Sequence, residues 1–297
     1  MTFSFKIVTD TSANLPSSLL EKHGIEVIPF YYGMEGEEHC CLDTEAFEDG
    51  EGEQYYAKLK AGVRVTTSQI NPQTYIDFFE PILARGEDLL YIGMSSGISN
   101  SYNSSEAAAE QLRGKYPERK IVAFDTLAAS LGEGKAVLRA VGCRDKGMSM
   151  EDTIAVLEAE RHDLYQTVLL DDLMFLHRGG RVSAPKALLG TVLGIRPILK
   201  GDTGGHLVVC GKTRGRKRGL EALADKYEKL IDRSRDQLVG IAYTDCPEDA
   251  YELRDMLAKI WKPAEFMVVR YEPVTGSYVG PGTVALFFDG LKNARDF

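Results

Sequence analysis

Residues 89–104 read Leu-Leu-Tyr-Ile-Gly-Met-Ser-Ser-Gly-Ile-Ser-Asn-Ser-Tyr-Asn-Ser, an apolar run that empties into a hydroxyl-rich loop and then into a helix. Where a strand feeds a helix, the first backbone N–H groups lack internal partners and the helix dipole turns its positive end outward. The hydroxyls of Ser95, Ser96, Ser99 and Ser101 therefore outline an anion site. A second cluster, Thr66-Thr67-Ser68-Gln69, opens the helix expected from Pro72. Two such loops, leaving adjacent strands of one parallel sheet, would meet at its carboxyl edge, where open α/β sheets bind ligands.

The surrounding rhythm supports that placement. Strand-like stretches at 5–9, 25–31, 89–92 and 121–124 alternate with helices from Pro16, around 55–60, from Pro72 and through 106–113. Pro16 and Pro72 sit early in their helices, with Ser12 or Asn14 and Ser68 or Asn71 available as caps. Such alternation predicts a doubly wound parallel sheet. Helices at 134–146 and 150–162 follow. Beyond Tyr165 the pattern changes to strands at 167–170, 196–200, 206–212, 238–243, 266–271 and 284–288, with Gly201-Asp202-Thr203-Gly204-Gly205 as a hairpin signal. The chain is predicted to be α/β with two domains, the change falling near 148–165. Residues 1–155 form the doubly wound unit and residues 156–297 a two-layer mixed or antiparallel sheet with helices.

At 297 residues the chain is at the size where one core stops growing, which agrees with two domains. With 44% hydrophobic and 27% charged residues it is a folding sequence, and a net charge of −9 argues against nucleic acid as a partner. No apolar stretch reaches the roughly 18 residues of a membrane span, and the N-terminus runs straight into a strand with no export signal. Five cysteines, odd in number and without metal-ligand spacing, suit reduced thiols in a cytoplasm and give no metal site. With no Gly-x-Gly-x-x-Gly after a strand and no Walker loop, no nucleotide cofactor is expected.

Several clusters carry two readings each. Gly93-Met94-Ser95-Ser96-Gly97 has the spacing and context of a nucleophile elbow, which would make Ser95 the nucleophile of an esterase or thioesterase; the only downstream bases are His162, His177 and His206. The plain reading is a serine-rich helix cap. Lys212-Thr213-Arg214-Gly215-Arg216-Lys217-Arg218 and His177-Arg178-Gly179-Gly180-Arg181 are basic runs, read either as solvated surface or as a docking face. Leu188, Leu189, Val192 and Leu193 recur at helical spacing, as core or as the lining for a long apolar ligand. Gly280-Pro281-Gly282 is a turn or a close approach of backbone to a ligand.

Taken in order, Val8-Thr9-Asp10-Thr11-Ser12-Ala13-Asn14-Leu15, Thr67-Ser68-Gln69, Ser95-Ser96-Gly97-Ile98-Ser99, Phe124-Asp125-Thr126 with Ser130-Leu131-Gly132, Gly179-Gly180-Arg181-Val182, Arg196-Pro197-Ile198-Leu199, Arg214-Gly215-Arg216-Lys217 and Gly280-Pro281-Gly282 resemble the successive motifs of the DegV family over almost the whole chain. The resemblance implies a bacterial, cytoplasmic, two-domain protein that encloses one long-chain fatty acid between its domains. It would present the carboxylate to a separate fatty-acid kinase catalytic subunit and perform no chemistry alone; a lipid-binding regulatory protein is the third reading. Carried over by position, Thr67, Ser68 and Ser95 or Ser96 become carboxylate binders, with Tyr278 beside them, and Arg181, Arg216 and Lys217 face the kinase; Ile98 and the stripe Leu188, Leu189, Val192 and Leu193 are the candidates for lining the tail. Two departures stand out: Tyr278 occupies the place of a common histidine, and Ser99-Asn100-Ser101 that of Ser-Gly-Thr. A phenol donates a hydrogen bond but stays neutral where histidine titrates.

Overall fold

The computed structural model describes residues 5–182 and 194–297. Its strands are β1 (Lys6–Asp10), β2 (Glu26–Ile28), β3 (Tyr31–Met34), β4 (Glu37–Cys40), β5 (Val65–Thr67), β6 (Leu89–Gly93), β7 (Ile121–Asp125), β8 (Leu164–Leu169), β9 (Ile195–Gly201), β10 (Leu207–Arg214), β11 (Leu238–Tyr243), β12 (Glu265–Arg270) and β13 (Val284–Asp289). A four-stranded sheet has the order β2-β1-β6-β7, all parallel, with Val8 opposite both Glu26 and Tyr91. All five residues of β6 are buried, because helices cover both faces, and a strand covered on both faces reads as a continuous apolar run. Strand order reverses between β1 and β6, so the loops that follow them flank a crevice.

The second sheet has the order β10-β9-β8-β13-β11-β12, with β11 and β12 parallel and the other pairs antiparallel. Helices Arg216–Leu230 and Pro247–Ile260 pack together on one face. The other face meets Leu131–Asp145, a helix from the first half of the chain that also touches β1 and β6. That helix lies between the two sheets and joins them through one core containing Ile7, Leu90, Leu131, Val137, Leu199 and Phe287. The architecture is α/β, with a doubly wound parallel sheet followed by a mixed sheet with helices.

A third sheet, β4-β3-β5, is antiparallel and differs from the sequence expectation. One strand was expected over 25–31. Pro29, which has no N–H to give to a ladder, separates β2 from β3 instead. The chain then reverses through Glu35-Gly36, both at positive φ (55° and 90°), as a two-residue hairpin requires. Thr66 and Thr67 lie in β5, opposite Gly33 and Tyr32, so the second hydroxyl cluster leaves this small sheet and not the parallel one. Among the described residues no helix is long and apolar enough to cross a membrane.

Candidate functional site

The segment after β5, the loop after β6 and the short helix Pro273–Val279 converge on one cavity of about 80 Å³. The first supplies Thr67, Ser68 and Gln69, and it is tied to the second where Ile70 N–H donates to Ser101 Oγ at 3.1 Å. The loop after β6 supplies Met94, Ile98 and Ser99. Pro273–Val279 supplies Val274, Tyr278 and Val279, while Phe30, Leu176 and Leu207 complete an aliphatic and aromatic wall.

Pro273–Val279 is too short to hold its place by itself, and its neighbours fix it. The Glu272 carboxyl caps it, accepting from Val274 N–H (2.7 Å) and Thr275 N–H (2.5 Å), while Glu272 N–H donates to Asn14 Oδ1 at 2.8 Å. Two phenols from helix Gly52–Lys60 pin the entry: Tyr55 OH donates to the Pro273 carbonyl (2.6 Å) and Tyr56 OH to that of Tyr271 (2.8 Å). The Tyr278 ring lies against Gly179, where a Cβ would come within 2.4 Å of it. Over the ring, 4.7 Å from its centroid, sits the Arg181 guanidinium. These contacts aim the Tyr278 hydroxyl at Thr67 Oγ1, 2.5 Å away.

Thr67 and Tyr278 also border a second, open cleft of about 900 Å³. Among the described residues its lining includes Arg64 and Arg178 and no carboxylate. The Thr67–Tyr278 pair thus stands where the inner cavity meets a cationic vestibule.

Of the residues singled out from the sequence, Thr67, Ser68, Ile98, Tyr278 and Arg181 are brought together here. Arg181, expected on a partner-facing surface, is in the pocket lining, where Nε donates to Ile98 O (3.2 Å) and Nη1 to Gly179 O (2.5 Å). Ser95 and Ser96 are outside this lining. Ser95 is fully buried and its hydroxyl donates to the Gly205 carbonyl at 2.8 Å, tying the loop after β6 to the hairpin between β9 and β10. Gly205 has φ +78°, and a Cβ there would fall 2.1 Å from Ser95 Oγ. Ser96 is exposed; its N–H donates to Asp125 Oδ1, and the Gly97 N–H donates to Ser95 Oγ, so the loop uses donors expected for an anion. Arg216 is held inside the chain by Asp249 (2.6 Å), Asp171 (3.1 Å) and Cys246 Sγ (3.2 Å), whereas Lys217 is exposed. Leu188, Leu189, Val192 and Leu193 lie outside the described residues. The sequence reading had no signal for Phe30 or Leu207, which reach the pocket only through the tertiary fold.

Burial lifts the Glu272 carboxyl from 4.5 to about 7, outweighing the side-chain and backbone hydrogen bonds of Thr275 and the Val274 N–H that pull it down. The folded protein therefore holds a proton that the unfolded chain releases across that interval. Stability falls as pH rises from about 4.5 to about 7, by about 3 kcal/mol from this group. Thermal melts at successive pH values are expected to show the decline. Glu272→Gln, which keeps an acceptor for the helix, removes that share; an identical pH profile in the variant would refute the assignment.

The cavity sets a phenol, hydroxyls and a guanidinium among apolar side chains in an α/β protein, the makeup of a small-molecule pocket. The chain belongs to the DegV family: residues 4–290 match the family described as "Uncharacterised protein, DegV family". It is 34% identical over 287 residues to a DegV domain-containing protein of Clostridium perfringens, covering 96% of this chain and 97% of that one. A solved DegV family protein from Thermus thermophilus, described as binding fatty acid, superposes with a TM-score of 0.83 at 28% identity, covering 97% of this chain and all of the other. DegV of Bacillus subtilis, described as a fatty acid binding protein, gives 0.80 at 25% identity, covering 96% and 99%. Among the described residues no cluster of three or more His, Cys, Asp or Glu side chains could hold a metal.

Proposed function

We propose that this protein encloses one long-chain fatty acid and presents its carboxylate, through the vestibule, to a cytoplasmic kinase subunit that forms the acyl-phosphate. The observation that carries this reading is the Thr67–Tyr278 pair, which borders both the inner apolar cavity and the open cationic cleft. A carboxylate there has neutral donors on one side and an open approach on the other. The relatives described as fatty-acid binding support the ligand class.

Affinity comes from the tail. Burying a dozen methylenes at about 0.8 kcal/mol each gives roughly 10 kcal/mol before ordering costs. The described cavity accommodates the headgroup end, and the reading assigns the rest of the tail to the stripe at 188–193. Thr67, Ser68 and Tyr278 replace the hydration that the carboxylate loses, and Arg181 behind the phenol adds favourable charge. Ser95 and Ser96 act from behind, by shaping the loop. In this scheme residues 1–155 supply the hydroxyls and residues 156–297 supply Tyr278 and Arg181, as two domains closing on one ligand. Exposed Lys217 and Arg178 are the docking charges, with Arg216 bracing the start of the helix that carries Lys217.

No observation favours the esterase: the Ser95 proton goes to a carbonyl, and no imidazole is hydrogen-bonded to it among the described residues. Thr67→Ala and Tyr278→Phe are each expected to weaken fatty-acid binding about tenfold or more, the size of a charge-assisted hydrogen bond of about 1.5–3 kcal/mol. Unchanged affinity in both, read by a competition titration, would move the headgroup elsewhere.

A further inference from the structure

Another cavity, of about 250 Å³, opens at β7, the edge strand of the parallel sheet. Its other walls are helix Leu131–Asp145, helix Met150–Glu160 with the turn into β8, and residues 236–238 leading into β11. Among the described residues it shares no lining residue with the headgroup cavity. Five side chains make an apolar floor: Phe124, Leu138, Leu157, Leu164 and Leu238.

Charges ring that floor, and two of its three cations are spent within the chain. Lys135 Nζ donates to the Leu238 carbonyl and, at 3.2 Å, to Asp289 Oδ2. Arg139 gives Nε and Nη2, one edge of its guanidinium, to the two oxygens of Glu160 at 2.8 and 2.9 Å. Arg161 is different. Its guanidinium lies over the Phe124 ring, 5.4 Å from the centroid, and Nη1 donates to the Asp125 carbonyl at 3.1 Å. The Asp125 carboxylate goes elsewhere, accepting the N–H groups of Ser96 and Leu127. Arg161 Nε is buried without an acceptor, and among the described residues neither it nor Nη2 meets a carboxylate. Two arginines of one cavity thus carry the same edge, Nε with Nη2. On Arg139 a carboxylate of the chain fills it; on Arg161 none does.

We propose that this cavity is a second ligand site, for a small monocarboxylate with a compact apolar body, separate from the headgroup pocket and whatever that pocket holds. The carboxylate meets Arg161 at Nη2 and completes the fork at Nε as the side chain closes on it, in the side-on geometry that Glu160 makes with Arg139. A buried donor that has lost its water then regains an acceptor. Volume sets the body. A cavity of about 150 Å³ holds benzene, so this one takes an aromatic ring or a short branched chain with its carboxylate, and excludes a long acyl chain. Charge sets the headgroup. One cation is unpaired, so one negative charge is balanced; a second, as on a phosphate monoester, would face Glu160, Asp289 and exposed Asp236 with no cation left for it.

The test is calorimetric titration of the full chain, saturated with dodecanoate, with 3-phenylpropanoate. One equivalent is expected to bind. The uncharged 3-phenylpropan-1-ol and the doubly charged phenyl phosphate should each bind about tenfold more weakly or worse, as should 3-phenylpropanoate to Arg161→Gln. Arg161→Lys, which keeps the charge without the fork, should fall between. Ala136→Phe fills a half-buried position of the lining without touching a charge and should abolish binding, which keeps the site testable if the arginine variants fold poorly. No binding of 3-phenylpropanoate at millimolar concentration, binding that dodecanoate displaces, equal binding of the alcohol, or tighter binding of phenyl phosphate would each overturn the proposal and leave the fatty-acid reading untouched. If dodecanoate itself fails to bind, that reading falls, and 3-phenylpropanoate binding that Arg161→Gln weakens and Ala136→Phe abolishes still upholds this site.

Discussion

Gly276→Ala is expected to destabilise the protein by about 2–4 kcal/mol and to cost it its ligand. A Cβ at Gly276 would fall 1.9 Å from the Tyr56 hydroxyl. That hydroxyl cannot swing aside cheaply: Tyr56 is fully buried, donates to the Tyr271 carbonyl at 2.8 Å and packs edge-on against Tyr55, with ring centroids 5.1 Å apart. Either the hydrogen bond breaks or helix Pro273–Val279 is displaced, and overpacking and a lost buried bond each cost about 1–3 kcal/mol. The same helix carries Val274, Tyr278 and Val279 into the pocket, so the displacement reaches the binding site. Thermal melting measures the first effect and fatty-acid titration the second. Adding Tyr56→Phe, which removes the clashing oxygen, should recover part of both; an unaltered melt in Gly276→Ala alone would show that the helix is not held as described.

Arg181→Glu is expected to lower fatty-acid affinity at least a hundredfold. The guanidinium lies over the Tyr278 ring and lines the cavity, so reversal sets a carboxylate beside the ligand's own and removes the donors to Ile98 O and Gly179 O. Like charges brought together in a water-poor site cost several kcal/mol, and about 1.4 kcal/mol is a factor of ten. Arg181→Lys should fall between, because it keeps charge but loses the planar fork. Kinase turnover with lipid-saturated protein is the companion measurement. Normal affinity with abolished acyl-phosphate formation would return Arg181 to the docking surface that the family resemblance implied.

The strands buried on both faces were the easiest to read. The apolar run into β6 states its own environment, and the shift in rhythm beyond Tyr165 marks where the parallel sheet gives way to the mixed one. The small antiparallel sheet was not legible, because its signals are a proline that breaks an apparent strand and an Glu-Gly turn without the usual asparagine or aspartate. At the candidate site, the order of motifs singles out Thr67 and Tyr278, which line one cavity together. Ser95 shows the limit of such reading. Its neighbours in sequence suggest a free donor, but its proton is claimed by Gly205, a residue 110 positions away. Arg181 and Arg216 show the same limit for charge, since exposure of a basic loop depends on which carbonyls and carboxylates the fold brings to it.

The most direct measurement is extraction of lipid from the purified protein, followed by mass spectrometry and quantification against protein. One long-chain fatty acid per chain is expected, with occupancy reduced in a Thr67→Ala, Tyr278→Phe double variant that melts like the unaltered protein. Protein that carries no lipid, and takes up none when incubated with oleate, would contradict the account.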